Sequence, residues 1–587
     1  MNLNNIKNIY IIGIEGAGTS ALALILQAQG KNVVGSDEGD HFYYEALQRA
    51  GIKVFHKFDM ENLKTPQNFR SSNFDPLYTG GEGDSQNFRS SDFKSQHSSR
   101  VAFGEVQSLK NLRDEKSKNK LIYNKIDLVI YSTSVQSESN EELKEAMEAS
   151  KARPSEGSKR LKGLAFSEQF DSSKILSYPQ ALAMVFNQSD FGIAVCGTHG
   201  KTTTTAMLGT VLKNTKQKVT ALVGSKVLGW GGQGFLVTDS NIDVCKNPKL
   251  KRSRENYFVI EADEYQNKLQ HYLPQAVILT SVDYDHPDFF KTPEDYKQVF
   301  KDFVAKIPKD GFLVAYGGDE DVVEVSKSAQ CEVIFYDLLG AKDILLGNNF
   351  CADTSCRGNT FGCCPIAKEG KKVRLFGEHN LLNAMAVFKL CQKLGLDEEM
   401  IKKSLREFQG TARRFEEKGK YHGAIIIDDY AHHPVEVEAT LKMAREKYPD
   451  KNIKIIFHPH TFTRTEALLN DFAKSFKLAD EVYLLDIFGS AREKQGGVSS
   501  DDLVNKIKEV SKFFEAVPLP ERSEGEVRPL KNLRNKKVVK KQKIIKNLHT
   551  IPEAIKYFKN NLTKDDLLIT MGAGDVYLVG EGLIKGN

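Results

Sequence analysis

The sequence has little of what marks secreted, disulfide-bonded or membrane proteins. Its 587 residues include only eight cysteines and one tryptophan. The cysteines lack the paired spacing of a zinc site, although Cys363 and Cys364 are adjacent, so we expect free thiols in a reducing compartment. Residues 1–5 show no basic stretch that leads into an apolar one, and no apolar run is long enough to cross a bilayer. We therefore expect a cytoplasmic protein without a membrane span.

The excess of positive over negative residues is also small, which argues against a nucleic-acid partner. The chain has 82 Lys and Arg residues against 77 Asp and Glu residues, a net charge of +5. Its basic stretches, such as 536–546, contain no interleaved aromatic residues, so solvated loops are favoured over a nucleic-acid site. The length predicts roughly three to four domains.

The most informative stretch is a glycine-containing turn between an apolar run, 191–195, and an apolar helical stretch. It reads Gly197, Thr198, His199, Gly200, Lys201, Thr202 and Thr203. Glycines let backbone N–H groups approach phosphate oxygens, Lys201 can bind the β- and γ-phosphates, and the Thr202 hydroxyl can bind Mg²⁺. The two glycines are separated by two residues instead of the usual four. A nucleotide-binding loop is therefore favoured, and a plain strand–helix turn is the alternative.

A second glycine-containing turn lies near the start of the chain. Residues 9–14 predict a buried strand, 20–28 a helix and 32–35 a second strand that ends near Asp37. The turn itself reads Glu15, Gly16, Ala17 and Gly18. This is a Rossmann arrangement with a pyrophosphate expected at the helix N-terminus. Because Glu15 replaces the usual second glycine, a nicotinamide cofactor is not implied, and a tight turn with a solvated Asp37 is the alternative.

Three stretches break the alternation of strands and helices. The sequence of 67–72 recurs at 86–91, and that of 110–113 recurs at 531–534. Residues 152–163 have a similar biased composition. Such segments bury too little apolar surface to offset the entropy of ordering. We interpret them as surface insertions without a role in the site.

Acidic and histidine residues follow several predicted strands. Glu261 ends the strand 257–260, and His286 lies shortly after the strand 276–280. Ligands bind open α/β sheets beyond the carboxyl ends of their strands, and Mg²⁺ prefers oxygen ligands. Glu261 is thus a candidate Mg²⁺ ligand. His286 is a less typical one and could instead hold a carboxylate at a helix N-terminus.

Further along, two predicted strands are followed by side chains suited to carboxylate recognition. These are His432, His433, His460 and Arg464. We expect an α/β protein of three domains. A Rossmann-like N-terminal domain covers 1–174, with an insert at about 65–118. A central P-loop ATPase-like domain with a mostly parallel sheet covers 175–373, and a C-terminal Rossmann-like α/β domain covers 374–587, with a basic insert at about 519–546.

With these stretches assembled, the chain resembles the Mur ligase family over nearly its whole length. The motifs that carry the resemblance occur in family order. They are IGIEGAGTSALA (12–23), SDEGDH (36–41), GTHGKTTTT (197–205), EADEY (261–265), DYDHPDFF (283–290), GEHNLLNA (377–384), ARRFE (412–416), DDYAHHPVEV (428–437), HPHTFTRT (458–465) and GAGD (572–575).

The resemblance implies an ATP-dependent, Mg²⁺-requiring ligase of peptidoglycan precursor synthesis. The motifs are most similar to those of members that join L-alanine to UDP-N-acetylmuramate. In that reaction the sugar's lactoyl carboxylate attacks the γ-phosphate of ATP, and the amine of L-alanine then displaces phosphate from the acyl phosphate. Catalysis of this kind consists mainly of positioning and charge neutralisation. The active form is expected to be a monomer or a homodimer.

The resemblance also implies a role for each matching residue. Lys201, His286, Arg413 and Arg414 are the expected catalytic residues, with either arginine reaching the phosphates. The expected ATP contacts are Gly197, Thr198, His199, Gly200, Lys201, Thr202, Thr203, Asn380, Asn383 and Asp429. The metal ligands are Thr202, Glu261 and His286. UDP would lie on Gly16, Ala17, Gly18 and Asp37, and the amino acid on His432, His460 and Arg464.

Two departures from the family pattern leave alternatives open. Thr461 stands where many alanine-adding members have a basic residue, and 265–268 differ from the more frequent sequence. The second departure resembles the members that attach a recycled tripeptide to UDP-N-acetylmuramate. Outside the family, a nicotinamide-dependent oxidoreductase would use only the first Rossmann unit. A P-loop module without ligase activity would leave the histidines and Arg464 unexplained.

Overall fold

A computed structural model describes residues 2–38, 43–59, 61–64, 126–135, 140–151, 175–238, 256–341, 377–489, 493, 495–516 and 543–585. The chain divides into two compact units, Met1–Ala181 and Leu182–Asn587. The predicted insert at 65–118, the stretch 152–163 and most of the insert at 519–546 lie outside the described residues, as does the Cys363–Cys364 pair. Within the described residues, every helix is too short or too polar to cross a bilayer.

The first unit is built on a five-stranded parallel sheet in the order β3-β2-β1-β4-β5. Its strands are β1 (Asn8–Ile12), β2 (Asn32–Ser36), β3 (Lys53–Phe55), β4 (Leu128–Tyr131) and β5 (Ile175–Ser177). Its helices are α1 (Ala17–Ala28), α2 (Tyr44–Arg49), α3 (Glu61–Lys64) and α4 (Glu141–Lys151). All five residues of the central strand β1 are buried, as the near-continuous apolar run of a parallel strand requires.

The first sheet extends past the boundary predicted at residue 174. Strand β5 begins at Ile175 and pairs in parallel with β4, and the compact unit ends at Ala181. The boundary prediction was therefore wrong by several residues. The strand is only three residues long, so its hydrophobic pattern is too short to assign it to a sheet.

The second unit contains a seven-stranded sheet in the order β12-β11-β10-β6-β9-β7-β8. Its strands are β6 (Phe191–Cys196), β7 (Lys218–Val227), β8 (Gln233–Val237), β9 (Asn256–Glu261), β10 (Ala276–Leu279), β11 (Phe312–Tyr316) and β12 (Glu332–Tyr336). The accompanying helices are α5 (Tyr178–Phe186), α6 (Lys201–Asn214), α7 (Pro293–Val304), α8 (Glu320–Ser326), α9 (Leu338–Ala341), α10 (Glu378–Lys393) and α11 (Glu398–Arg406). Only β8 pairs antiparallel, at the edge beside β7.

Helices α10 and α11 belong to this central sheet, contrary to the prediction that residue 374 begins the third domain. Leu381, Met385 and Phe388 of α10 lie in one hydrophobic core with Met207 and Val211 of α6. An apolar helix face predicts burial but not the sheet against which it packs. The central core therefore continues past the predicted boundary at 373.

A six-stranded sheet in the order β13-β14-β18-β15-β16-β17 completes the second unit. Its strands are β13 (Glu416–Tyr421), β14 (Ala424–Asp429), β15 (Asn452–Phe457), β16 (Glu481–Leu484), β17 (Ile544–Asn547) and β18 (Asp566–Met571). The helices are α12 (Pro434–Lys447), α13 (Phe462–Ala467), α14 (Leu469–Ser475), α15 (Ser500–Ala516), α16 (Ile551–Asn561) and α17 (Tyr577–Ile584). Because β17 begins at Ile544, the predicted basic insert was wrong over 544–546.

Three mostly parallel sheets covered by helices confirm the predicted α/β class and the three-domain plan. In a parallel sheet the carboxyl ends of the strands share one edge. The loops after β6, β9 and β10 in the central sheet therefore meet, and so do those after β14, β15 and β18 in the last sheet. These loops carry most of the predicted site residues.

Candidate functional site

In the first unit, the turn after β1 and the end of β2 lie together. Gly16 is the N-cap of α1, and Ala17 and Gly18 form its first turn. The Asp37 carboxylate accepts a hydrogen bond from the backbone N–H of Glu15 at 2.8 Å. A Cβ on Gly18 would lie 2.5 Å from the ring of Tyr178, so a larger residue there would have to displace that ring. The predicted glycine turn and Asp37 are thus joined by a direct contact at a helix N-terminus.

Beneath this turn lies a buried acid that sequence reasoning missed. Glu142 of α4 is fully buried. It accepts hydrogen bonds from Tyr10 Oη at 3.0 Å and Asn62 Nδ2 at 2.7 Å, and further ones from Ser36 Oγ and the backbone N–H of Asp59. Burial raises the pKa of Glu142 above its ordinary value, against the hydrogen bonds. Within the described residues, the hydrogen-bond donors to this carboxylate are all neutral.

The phosphate loop of the central sheet requires both of its glycines. Gly197 has φ +127° and Gly200, the N-cap of α6, has φ +81°, a region that favours glycine. A Cβ on Gly197 would lie 2.3 Å from Thr280 Oγ1, and one on Gly200 would lie 2.5 Å from Asn383 Oδ1. The loop is therefore packed tightly, and Asn383 of α10 lies directly against it. Asn380 lies three positions earlier in the first turn of α10, on the same face.

Lys201 turns back over the loop that it follows. Its Nζ donates to the carbonyl oxygens of Gly197 at 2.6 Å and Thr198 at 3.0 Å, and to Glu264 Oε2 at 2.9 Å. Burial lowers the pKa of Lys201, but the nearby carboxylates, Glu264 first, outweigh it and raise the pKa overall. The lysine is thus charged at neutral pH. Glu264 was missed as a site residue, although its place in the acidic run that starts at Glu261, three residues earlier, could have identified it.

Thr202 and Glu261, predicted as metal ligands, are in contact. Thr202 Oγ1 donates to Glu261 Oε1 at 2.7 Å, and the backbone N–H of Gly224 donates to Glu261 Oε2 at 2.7 Å. Thr203 lies next to Thr202 in the first turn of α6. A hydroxyl and a carboxylate at the N-terminus of the phosphate-loop helix form the oxygen donor set that Mg²⁺ prefers.

His286 belongs to a second group of potential metal ligands. One ligand atom each from Asp263, Glu264 and His286 lies within 4.8 Å of the others. His286 has φ +57°, and its ring lies 4.6 Å from the ring of Tyr265, centroid to centroid. The structure thus places His286 beside Glu264, with Asp263 as a ligand candidate that the sequence had not singled out.

The two arginines after α11 differ in what they contact. Arg413 donates from Nε to Asp428 Oδ2 at 3.0 Å and from Nη2 to the carbonyl of Gly572 at 2.7 Å. Arg414 lies 3.7 Å from Glu436 Oε1, and the charges that raise its pKa against burial include those of Glu436 and Glu261. Arg413 is therefore engaged within the last sheet, and Arg414 is the one that faces the phosphate-loop side.

Asp429, predicted to contact the nucleotide, organises the loop after β14. Its carboxylate accepts from the backbone N–H groups of Phe415 at 2.7 Å and Ala431 at 2.9 Å, and from Thr440 Oγ1 at 3.2 Å. Burial raises the pKa of Asp429 to about 6, and the Arg414 charge opposes this rise. The same carboxylate thus fixes Phe415, just before β13, and Ala431, in the loop after β14.

The histidine loop after β14 contacts the phosphate loop. His199 Nδ1 lies 3.2 Å from Glu436 Oε1, and the backbone N–H of His432 donates to Glu436 Oε2 at 3.0 Å. His433 caps α12 by accepting from the N–H of Val435 at 3.4 Å, and its ring centroid lies 4.7 Å from that of His199. The loops thus meet, and Glu436 was missed because an acid in a first helical turn has an ordinary explanation.

Arg464, predicted to bind a substrate carboxylate, is paired with a carboxylate of the protein. Its Nε donates to Asp285 Oδ1 at 2.9 Å, its Nη2 to Asp285 Oδ2 at 3.3 Å, and its Nη1 to the carbonyl of His460 at 2.8 Å. Both charged residues are buried. Burial raises the pKa of Asp285, but Arg464 outweighs it and holds that pKa well below its usual range. Asp285 lies in the motif at 283–290, but that motif does not identify Arg464 as its partner.

The histidines near Arg464 are neutral at physiological pH. Burial lowers the pKa of His432 to about 3 and that of His460 to about 4. The His460 ring stacks on Phe488 with centroids 5.6 Å apart. Thr461, at the position of the missing basic residue, instead caps α13 through its hydroxyl. The predicted amino-acid residues are therefore gathered around one buried ion pair.

Comparison with known proteins finds three matching family models and related full-length chains. The Mur ligase family catalytic domain matches residues 8–153, the Mur ligase middle domain matches 195–391, and the Mur ligase glutamate ligase domain matches 413–574. The chain is 30% identical to the UDP-N-acetylmuramate–L-alanine ligase of Caldanaerobacter subterraneus, with 100% of this chain and 99% of that protein covered.

Two solved structures share the fold at 19% identity, each with 99% of this chain and 98% of the other covered. The UDP-N-acetylmuramate–alanine ligase of Thermotoga maritima has a TM-score of 0.57. The murein peptide ligase of Psychrobacter arcticus has a TM-score of 0.55.

Proposed function

The chain belongs to the Mur ligase family, and we propose on that basis that it joins L-alanine to UDP-N-acetylmuramate with hydrolysis of ATP to ADP and phosphate. The observation that carries this proposal is the meeting of two sets of side chains. Lys201 and Thr202 of the phosphate loop lie with the strand-end acids Glu261 and Glu264, and the adjoining histidine loop contacts His199. The product is a precursor of peptidoglycan.

ATP is expected to occupy the phosphate loop. The loop N–H groups at the start of α6 and the Lys201 ammonium would bind the phosphate oxygens, since a helix N-terminus favours anions. Asn383, which lies against Gly200, and Asn380 would contact adenine. Asp429 would position the nucleotide through the loop that it organises. Gly197, Thr198, His199 and Thr203 complete the expected phosphate contacts.

The residues present fit Mg²⁺ at two places. Thr202 and Glu261 supply a hydroxyl and a carboxylate 2.7 Å apart, and His286 lies with Asp263 and Glu264. Bound Mg²⁺ would neutralise charge on the phosphates and on the acyl phosphate. Because Lys201 bonds to Glu264, this lysine and a cation at His286 would share one carboxylate.

The first unit would hold the sugar nucleotide. Gly16, Ala17 and Gly18 present the N-terminus of α1 to a pyrophosphate, and Asp37, fixed by its contact with the turn, would lie near the uridine. In the first chemical step the lactoyl carboxylate forms a bond to the γ-phosphorus and ADP leaves. The barrier is lowered by holding two anions together, and Lys201 and Arg414 would neutralise their charge.

In the second step the amine of L-alanine attacks the acyl carbon, and phosphate leaves from the tetrahedral intermediate. His432, His460 and Arg464 would form the amino-acid pocket. The neutral imidazoles of His432 and His460 add no positive charge that would repel the ammonium form of the substrate. Arg464 would attract its carboxylate, in competition with Asp285.

Phosphate release tests this function. The full chain is incubated with ATP, Mg²⁺, UDP-N-acetylmuramate and one of L-alanine, L-serine, glycine or the tripeptide. We expect release that requires the sugar nucleotide and is fastest with L-alanine. Preference for the tripeptide would instead indicate a ligase that attaches a recycled tripeptide to UDP-N-acetylmuramate. Release that ignores both substrates would favour a simple ATPase, and turnover of NADH without ATP would favour an oxidoreductase.

A further inference from the structure

Glu436 has more charged partners than its position in a helix requires. It lies in the first turn of α12, two residues after Pro434, and its side chain is 12% exposed. Its Oε1 lies 3.2 Å from His199 Nδ1 and 3.7 Å from Arg414 Nη1. Its Oε2 accepts from the His432 N–H at 3.0 Å and lies 3.4 Å from His432 Nδ1.

Helix capping explains only one of these contacts. A glutamate at the third helical position commonly accepts the N–H of the N-cap residue, and the contact with the N–H of His432, one residue before the N-cap His433, is a local contact of similar kind. The contacts with His199 and Arg414 are not, because the first comes from the phosphate loop of the central sheet and the second from the segment before β13. A neutral amide could keep the capping bond but not the ionic contacts.

His199 is fixed on its other sides by the central sheet. Its backbone N–H donates to Ser281 Oγ at 3.0 Å, and its carbonyl accepts from Thr280 Oγ1 at 2.5 Å. Its Nε2 lies 3.5 Å from Asp283 Oδ2. A shift of the His199 side chain is therefore a shift of the phosphate loop itself. The groups that face its ring are Glu436, Asp283, the ring of His433 and the more distant charge of Asp285.

We propose that Glu436 is a positioning residue. Through its contact with His199, it holds the phosphate loop in a fixed position relative to Arg414 and the histidine loop. One carboxylate would thereby align the phosphate end and the amino-acid end of the site. The inference rests on the proposed function, since it assigns these two ends to ATP and L-alanine. It adds a residue that touches neither substrate but sets the distance between their binding loops.

The test compares Glu436→Gln with Glu438→Gln. Glu438 lies on the same helix, is 49% exposed and pairs with Lys477 at 2.7 Å, so the control also loses one carboxylate and one ion pair. We expect Glu436→Gln to lower kcat about ten- to a hundredfold and to raise the KM for L-alanine, because a small misplacement of reacting groups has effects of this size. The unfolding temperature should stay close to that of Glu438→Gln. Normal kinetics in Glu436→Gln would overturn the proposal.

A second readout does not depend on activity. Burial lowers the pKa of His199, but the contact with Glu436 and the neighbouring acids outweigh it and raise that pKa overall. In histidine-labelled protein, Glu436→Gln should lower the His199 pKa relative to wild type, whereas Glu438→Gln should leave it unchanged. An unchanged His199 pKa in Glu436→Gln would contradict the contact between His199 and Glu436. This result would hold even if the chain acted on another substrate.

A double-mutant cycle separates positioning from a local effect. If Glu436 acts through His199, His199→Asn and Glu436→Gln together should lower kcat/KM by much less than the product of the single changes. Full additivity of the two effects would overturn the inference while leaving the ligase function intact. Absence of ligation in the wild-type protein would instead remove the function on which it rests.

Discussion

Glu142 in the first unit and two buried acids in the second unit, Glu264 and Asp285, are held in opposite ways. In the first unit, Glu142 is satisfied by neutral donors, and burial raises its pKa. In the second, Glu264 pairs with Lys201 and Asp285 with Arg464. A carboxylate among neutral donors can be replaced by a neutral group of the same shape, whereas removing a cation leaves a buried charge without compensation. The first arrangement suits a scaffold, and the second suits a site that handles anions.

The largest effect is expected from Lys201→Ala. The change removes the cation that contacts the loop carbonyls and Glu264. The same cation is expected to neutralise charge on the phosphoryl group during its transfer. Phosphate release that depends on both substrates should fall about a thousandfold or more. Circular dichroism should show the fold retained. Substantial ligation by this variant would contradict the role of Lys201.

Arg464→Ala should affect both stability and the amino-acid requirement. Asp285, which is 5% exposed, would keep its charge without its guanidinium partner, at a cost of about 3–5 kcal/mol in the free energy of unfolding. The KM for L-alanine should rise more than the KM for ATP. Unfolding of this unit can be followed by the fluorescence of Trp230, the one tryptophan of the chain.

The matched variant for this pair is Asp285→Asn combined with Arg464→Ala. With both charges gone, much of the lost stability should return, while the high KM for L-alanine should remain. A double variant as unstable as Arg464→Ala would mean that the arginine stabilises through packing instead of charge. An unchanged amino-acid dependence would remove Arg464 from the pocket.

The phosphate loop could be predicted from the sequence because its determinants are local. The strand, the two glycines and the helix lie within 191–214, and their spacing and hydrophobic pattern identify them. The position of Glu261 beside the phosphate loop could be predicted for a related reason, since the carboxyl ends of parallel strands share an edge. Its contact with Thr202 at 2.7 Å follows from the order of β6 and β9 in the sheet.

The partners of the buried acids could not be predicted, because they come from distant parts of the chain. Arg464 and Asp285 are 179 positions apart, and His199 and Glu436 are 237 apart. Each residue alone fits a local role, so nothing in its own motif names the partner. The boundary at 373 was wrong for a similar reason, because the apolar face of α10 could pack against either neighbouring sheet.

A smaller effect is expected in the first unit. Glu142→Gln keeps an oxygen for Tyr10 and Asn62, and the hydroxyl of Ser36 can turn to accept from the new amide. We expect a change in the free energy of unfolding within about 1 kcal/mol. Glu142→Ala leaves several buried donors without an acceptor and should cost about 3 kcal/mol or more. Hydrogen exchange over Met1–Ala181 measures both, and equal losses would show that the charge of Glu142 matters after all.

A pair of opposite pH dependences is also expected from the two units. His460, with a pKa lowered to about 4, binds fewer protons folded than unfolded below its ordinary pKa of 6.5. Its contribution to stability is therefore complete above pH 6.5 and is lost as the pH falls towards 4, by at most about 1.4 kcal/mol per pH unit.

Glu142 behaves in the reverse sense, because its folded pKa is raised. Its contribution is complete below the ordinary pKa of 4.5 and is lost as the pH rises through the folded value. Urea unfolding by Trp230 fluorescence should show a shallower acid slope in His460→Gln than in wild type. Hydrogen exchange over the first unit should show that Glu142→Gln removes a loss of stability on the alkaline side of pH 4.5. Slopes of the same sign in the two units would break the contrast between an acid held by neutral donors and a site built around paired charges.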